Sequence, residues 1–271
     1  MAESSAKQSN YVSGTLSKDG FILRQLVSTD FKLKYRRSVL GVVWSVLNPL
    51  LMMIVMSVVF SYMFRYNIEN YPLYLIIGNI TFAFMSDSTN QGMTSIINAS
   101  SLLKKIKVDR FLFPVQKVLF ALVNFAFSFV AVLAVMLWFR VMPTWHFILL
   151  PVCLLLLVVF CSGLGLLLSA AAVFFRDVMH LWGVVITAWN YLTPVFWDVQ
   201  MLVDNHAPWF VLAVVQLNPM YNYIQFMRDI VLWQTVPALE TIALCAFWAI
   251  ALFALGVYVF KKTEHKFILY I

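Results

Sequence analysis

VLGVVWSVLNPLLMMIVMSVVFSYMF, residues 39–64, runs for 26 positions without a charge. A helix needs about 20 mostly apolar residues to cross the hydrocarbon core of a bilayer, so this stretch reads as a membrane span. Five more uncharged runs follow, at 71–86, 118–139, 141–175, 178–197 and 241–260. Together they predict an all-α polytopic membrane protein with six transmembrane helices. The composition agrees. Of 271 residues, 62% are hydrophobic and 11% charged, with mean hydropathy +0.86, whereas a soluble domain carries about 25% charged residues.

Two of the runs need adjustment. The fourth, 141–175, is too long for one untilted crossing, and Pro143 and Pro151 mark its outer loop and the start of its helix. The second is short in uncharged length and extends past Asp87 toward Met93. A seventh stretch, 206–227, is also uncharged, but Asn218-Pro219 divides it into pieces too short to cross. Region 198–236 is therefore expected to form short re-entrant helices before the last span.

Charge distribution tests the count independently, because Lys and Arg gather on the cytoplasmic side of span ends. With six spans, the inner segments hold seven on 1–40, five on 104–117, Arg176, and three on 261–271. Only Arg65, Arg140 and Arg228 fall outside. A seventh span would throw Lys261, Lys262 and Lys266 outward. The expected layout is a cytoplasmic segment 1–38, a six-span domain 39–260 with a cytoplasmic loop at 94–114, and a cytoplasmic tail 261–271. No secretory signal is apparent in the polar opening, so both termini are expected in the cytoplasm.

The net charge of +7 sits where that asymmetry puts it and would meet anionic lipid headgroups, so it needs no nucleic acid partner. Cys153, Cys161 and Cys245 all lie in apolar runs and read as packing residues.

Ahead of the first span, Leu23, Val27, Phe31 and Tyr35 recur four residues apart, flanked by Ile22 and Leu26. Arg24, Lys32, Lys34, Arg36 and Arg37 take the other faces. This is the pattern of an amphipathic helix lying in the membrane interface. Besides anchoring, Lys32, Tyr35, Arg36 and Arg37 are candidates to hold a phosphate-bearing lipid, since Arg pairs its planar fork with phosphate oxygens. In the 94–114 loop, Ser95, Ile96, Ile97, Asn98, Leu102, Leu103, Lys104 and Lys105 form a short apolar and basic helix able to dock a cytoplasmic partner. Trp44, Phe60, Trp182, Trp189 and Tyr191 are candidates to line a route for a glycan, against the alternative that such aromatics form interfacial belts. Arg228-Asp229 reads as a fold-organising ion pair.

A specific resemblance accompanies these patterns. Residues 29–50, TDFKLKYRRSVLGVVWSVLNPL, resemble the opening of the ABC exporter permeases for O-antigen, capsule and wall teichoic acid. Further matches are 102–105 LLKK with Phe113-Pro114, 174–177 FFRD, 217–221 LNPMY, 226–229 FMRD and the end 260–271, in the expected order. The sequence departs from that pattern at Val108-Asp109-Arg110, which is more polar than the usual approach to Phe-Pro. The resemblance implies a homodimer above two nucleotide-binding ATPase subunits, with a channel at the dimer interface. It implies that 95–105 is the coupling segment on the ATPase, that 198–232 holds short helices near the outer leaflet, and that the first and fifth spans line the glycan's path. The implied cargo is a polyprenyl-diphosphate-linked glycan, moved outward across the bacterial cytoplasmic membrane. A related ABC permease for drugs or other lipids is the alternative.

No Gly-x-x-x-x-Gly-Lys-Ser/Thr loop occurs among the nine glycines. ATP and Mg²⁺ are therefore expected in the partner, and no cofactor or metal in this chain. His146, His180, His206 and His265 are scattered without metal-like spacing, and no nucleophile with a positioned base emerges, so an embedded enzyme is disfavoured. Span interiors offer few carboxylates for a proton-coupled carrier. Which glycan is carried is not written in the sequence.

Overall fold

The computed structural model describes the backbone of residues 2–36, 41–64, 68, 70–105 and 108–270. Side chains are described within those ranges from residue 19 onward, except 61–64 and 268. Among the described residues all regular structure is helical. The order is α1 (Ala2–Tyr35), α2 (Val43–Phe64), α3 (Tyr71–Asn98), α4 (Ser100–Leu103), α5 (Leu112–Trp138) and α6 (Leu150–Phe174). It continues with α7 (Val178–Leu192), α8 (Gln200–Asp204), α9 (Trp209–Leu217), α10 (Pro219–Val231), α11 (Leu239–Thr263) and α12 (Phe267–Tyr270).

Among the described residues, four stretches are long and apolar enough to cross a membrane: Val43–Phe60, Leu112–Trp138, Trp145–Phe174 and Leu239–Lys266. They coincide with the first, third, fourth and sixth expected spans. The other two differ for physical reasons. α3 has ample length at 28 residues but is polar from Ser86 to Gln91. α7 stops after 15 residues because Thr193 precedes Pro194 and takes an extended conformation (φ −89°, ψ 136°), as the proline ring disfavours helix one residue upstream. Pro143 lies in the connection between α5 and α6 and Pro151 in the first turn of α6, and Arg140 turns the chain with φ 58° after α5. Between α7 and α11, α8, α9 and α10 have 5, 9 and 13 residues. At 1.5 Å per residue, each is shorter than the roughly 30 Å hydrocarbon core.

α3 is the centre of the fold. Its neighbours α2, α5, α6, α7 and α10 pack around it, and 18 of its 28 residues are buried. Its hydroxyls turn back onto their own helix. Thr81 donates to the Ile77 carbonyl at 2.8 Å, Ser88 and Thr89 to Met85 at 3.0 and 2.8 Å, and Ser95 to Gly92 at 2.6 Å. Such back-bonding satisfies polar groups without a partner helix. α6 and α11 meet at glycines: a Cβ on Gly256 would lie 2.4 Å from the Gly163 carbonyl oxygen. Close backbone approach at small residues is how helices associate in lipid, where apolar burial alone gives no drive. Cys153, Cys161 and Cys245 are buried and free, as packing residues should be.

Candidate functional site

The last turn of α1 meets α2, α3 and α5 and closes one end of the candidate site. Tyr35 donates to Asn124 Oδ1 at 3.0 Å, which leaves Ser45 Oγ, 2.5 Å away, to donate to the Tyr35 hydroxyl oxygen. Asp30 of α1 pairs with Lys117 and accepts from Gln116 Nε2 at 2.6 Å, both on α5. Phe31 packs on Phe127 with centroids 5.8 Å apart. The apolar stripe Leu23, Val27 and Phe31 thus lines a groove with Leu119, Val123 and Phe127 of α5, so part of its surface is given to protein rather than to acyl chains.

Of the four residues read as phosphate candidates, Lys32 and Arg36 are exposed. Tyr35 is committed to Ser45 and Asn124, and Arg37 lies outside the described residues. Lys34 is exposed as well, but it borders a cleft on the bundle side. It lines a cavity of about 390 Å³ with Trp44, Ser45, Asn48, Asn79, Asp87 and Asn124. Sequence reading missed this group because its members are spread over four helices. The signal available was the isolated polar residues Asn48, Asn79 and Asn124 inside apolar runs, since polar groups there are costly and call for an explanation.

The candidate docking segment is built in two parts. Ser95, Ile96, Ile97 and Asn98 complete α3, and Ser95 and Ile96 are buried there. Leu102 and Leu103 belong to α4; Leu102, Lys104 and Lys105 are exposed along with Asn98, while Ile97 and Leu103 are half-buried. Ile96 joins Phe113, Leu166, Val173, Phe260 and Phe267 in a second core cluster, so the segment is braced against α6 and the C-terminal helices. Arg110 donates to the Glu264 carbonyl, and Asp109 accepts from the Phe111 amide at 3.0 Å. The polar Val108-Asp109-Arg110 departure therefore ties the start of α5 to the tail.

The aromatic candidates separate. Trp44 and Tyr191 are exposed, at 49% and 71%. Phe60 stacks on Phe196 at 5.5 Å. Trp182 is buried and donates to Thr89 Oγ1 at 3.2 Å, and Trp189 donates to Asn218 Oδ1 at 2.8 Å. Trp182 and Trp189 are thus fastened into the fold, leaving Trp44 and Tyr191 as the open faces.

Arg228 organises the far end, though not as an ion pair with Asp229. Consecutive helical residues point about 100° apart, and Asp229 instead accepts from Gln225 Nε2 at 2.7 Å. Arg228, 1% exposed, stacks on the Tyr74 ring at 3.3 Å and donates to the Pro194, Val195 and Tyr74 carbonyls at 2.8, 3.0 and 3.3 Å. Tyr71 and Tyr74 add bonds to the Phe196 and Trp197 carbonyls at 2.7 and 2.8 Å. Asn218 accepts from the Met220 amide at 3.0 Å, capping α10, and donates to Thr193 Oγ1 at 2.9 Å.

The profile of the ABC-2 type transporter family matches residues 23–232. The O-antigen export system permease protein RfbA of Myxococcus xanthus is 30% identical over 246 residues, covering 91% of this chain and 94% of that protein. Two proteins of Klebsiella pneumoniae with the same name are 25% and 24% identical over 247 residues, each covering 91% of this chain and 93% of its own length.

Proposed function

Since the chain belongs to the ABC-2 type transporter family, we propose that it is the membrane-spanning permease of a polysaccharide ABC exporter, carrying a lipid-linked glycan of the O-antigen class outward. The observation that carries this is the similarity to an O-antigen export permease over 91% of this chain and 94% of that protein, together with a family match over 23–232 that takes in the α1 cations, the 94–114 segment and the short helices before α11.

The finer reading has six crossings, with α3 and α7 completing the four apolar helices, and with α8, α9 and α10 as re-entrant pieces at the outer face. Both termini lie in the cytoplasm of a bacterial cell. The shared cluster of Ile96, Phe113 and Phe267 supports that orientation, since it draws the 94–114 segment and the C-terminal tail to one end of the bundle. A second copy of the chain completes the channel, against the exposed apolar sides of α2 and α7. An ATPase subunit binding ATP and Mg²⁺ docks on the exposed side of Asn98, Leu102, Lys104 and Lys105. Lys32, Arg36 and Arg37 draw the carrier diphosphate to the interface, where basic side chains at headgroup depth attract anions.

The test is ATPase stimulation in the reconstituted permease–ATPase complex. A polyprenyl-diphosphate-linked glycan should stimulate hydrolysis, and small amphipathic drugs should not; the reverse order rejects the polysaccharide assignment. Leu102→Asp with Leu103→Asp should separate the two subunits while leaving membrane insertion intact, and retained co-purification would reject the docking segment.

A further inference from the structure

We propose that the cleft between α2, α3 and α5 is a binding site for an ethanolamine glycerophospholipid. Its phosphate is held by Lys34 and Asn124, its ammonium by Asp87, and one acyl chain lies in the groove beyond. This goes beyond the transport reading and requires only that the chain lies in a bilayer.

The shape is that of an amphiphile's site. The polar cavity described above adjoins a second space of about 490 Å³, lined by Leu50, Met53, Ile54, Val58, Val135 and Trp138. Both volumes fall in the range of small-molecule sites. The two spaces lie between the same three helices and follow one another along them. On α2, Pro49 lines the first and Leu50 the second. On α5, Ser128 gives way to Ala134, six residues or about 9 Å further on. On α3, running the other way, Asp87 and Asn79 give way to Pro72. Polar lining thus changes to apolar lining along one axis.

The chemistry of the polar half selects the headgroup. Asn124 is 7% exposed, and its Oδ1 accepts from Tyr35, while its Nδ2 is buried with no partner among the described residues. A buried donor left unmade is costly, so this one calls for an acceptor inside the cavity. Lys34 supplies a cation to the same wall and Asp87 an anion. The single ion pair among the described residues is Asp30–Lys117, so neither Lys34 nor Asp87 is neutralised by direct contact there. A purely anionic headgroup would satisfy Lys34 and Asn124 but be repelled by Asp87. A purely cationic one would meet the opposite conflict. A ligand bearing a phosphate and an ammonium a few bonds apart satisfies all three, and the ammonium's N–H groups can donate to the carboxylate.

The test is lipid retention by the full chain in mild detergent, read by native mass spectrometry after equilibration with equal amounts of phosphatidylethanolamine and phosphatidylglycerol. The wild type should retain the ethanolamine lipid about fivefold over the glycerol lipid, the range of a partly solvated ion pair. Asp87→Asn should abolish that preference, and Asp87→Glu should keep it. Ala134→Trp, which fills the groove, should lose the retained lipid whatever its headgroup. Equal retention of both lipids by the wild type overturns the proposal, as does a preference that survives Asp87→Asn. If Asp87→Asn fails to fold, Ala134→Trp decides, since unchanged retention there overturns the site. Displacement of the ethanolamine lipid by an equimolar polyprenyl diphosphate would overturn it too, assigning the cleft to the carrier. None of these readouts involves transport or ATP hydrolysis, so their failure leaves the permease reading standing.

Discussion

α2 and α3 invert the rule that apolar helices are buried and polar ones exposed. In α2, only 6% of the apolar window Val43–Phe60 is buried within the chain. α3 carries Ser86, Asp87, Ser88, Thr89, Asn90 and Gln91, yet forms the core. Lipid tails are as apolar as leucine, so a helix facing them must be apolar on its outside, whereas one surrounded by other helices is spared that demand. Hydropathy in such a protein reports contact with lipid more than depth in the fold.

Four substitutions break or sharpen that contrast. Gly78 is the more sensitive of the two glycines in α3: a Cβ there would lie 2.7 Å from Arg228 Nη2 and 3.3 Å from the Val195 carbonyl oxygen. Gly78→Leu must expel the buried guanidinium from its carbonyls. The expected cost is on the order of 4 kcal/mol, seen as loss of the monodisperse species in size-exclusion chromatography. A folded Gly78→Leu protein of wild-type thermal stability would remove α3 from the centre of the argument.

The middle effect compares one substitution on both helices. Ile76→Ala, at a fully buried site in α3, should destabilise by about 2 kcal/mol. That is the lower end of the soluble-protein range, because in lipid the lost methylenes forfeit packing rather than shelter from water. Ile54→Ala on α2, at 53% exposure, should stay within about 0.5 kcal/mol. Thermal unfolding followed by tryptophan fluorescence ranks the pair, and equal shifts would mean that α2 is packed as tightly as α3.

The smallest effect concerns how α2 is held at all. Tyr35→Phe removes the hydroxyl that joins α1 to Ser45 of α2 and Asn124 of α5. About 1 kcal/mol is expected, with faster proteolysis of α1 as the more sensitive readout. An unchanged cleavage rate would show that the Asp30–Lys117 contact secures α1 alone.

How far the sequence could be read follows from the same contrast. The spans that face lipid were legible because an uncharged run is a direct signature of lipid contact. α3 was only half legible: the uncharged run ends at Ser86, whereas the helix continues to Asn98 on hydroxyls that bond to their own backbone, a pattern that hydropathy does not register. The end of α7 was written in Thr193-Pro194, but the uncharged run continues to Trp197 and hid it. The amphipathic stripe of α1 was legible from its spacing, though not its partner. Period identifies a face, while what covers it depends on Phe127 and Lys117, some ninety residues away. The polar cavity was least legible, since no local pattern links Lys34 to Asp87 and Asn124.

The hydrogen bonds of the Asn218 side chain have a mechanical meaning. Through Trp189 and Thr193 they weld the last turn of α7 to the first turn of α10, while Arg228 pins the adjoining carbonyls to α3. Along most of its length α7 presents exposed side chains, and Trp182 alone is buried. Its 15 residues make a rod about 22 Å long, tied at one end by Asn218 and near the other by Trp182 on Thr89 of α3. α7, α10 and α3 are thereby coupled as one unit, joined at both ends of α7 rather than hinged at one.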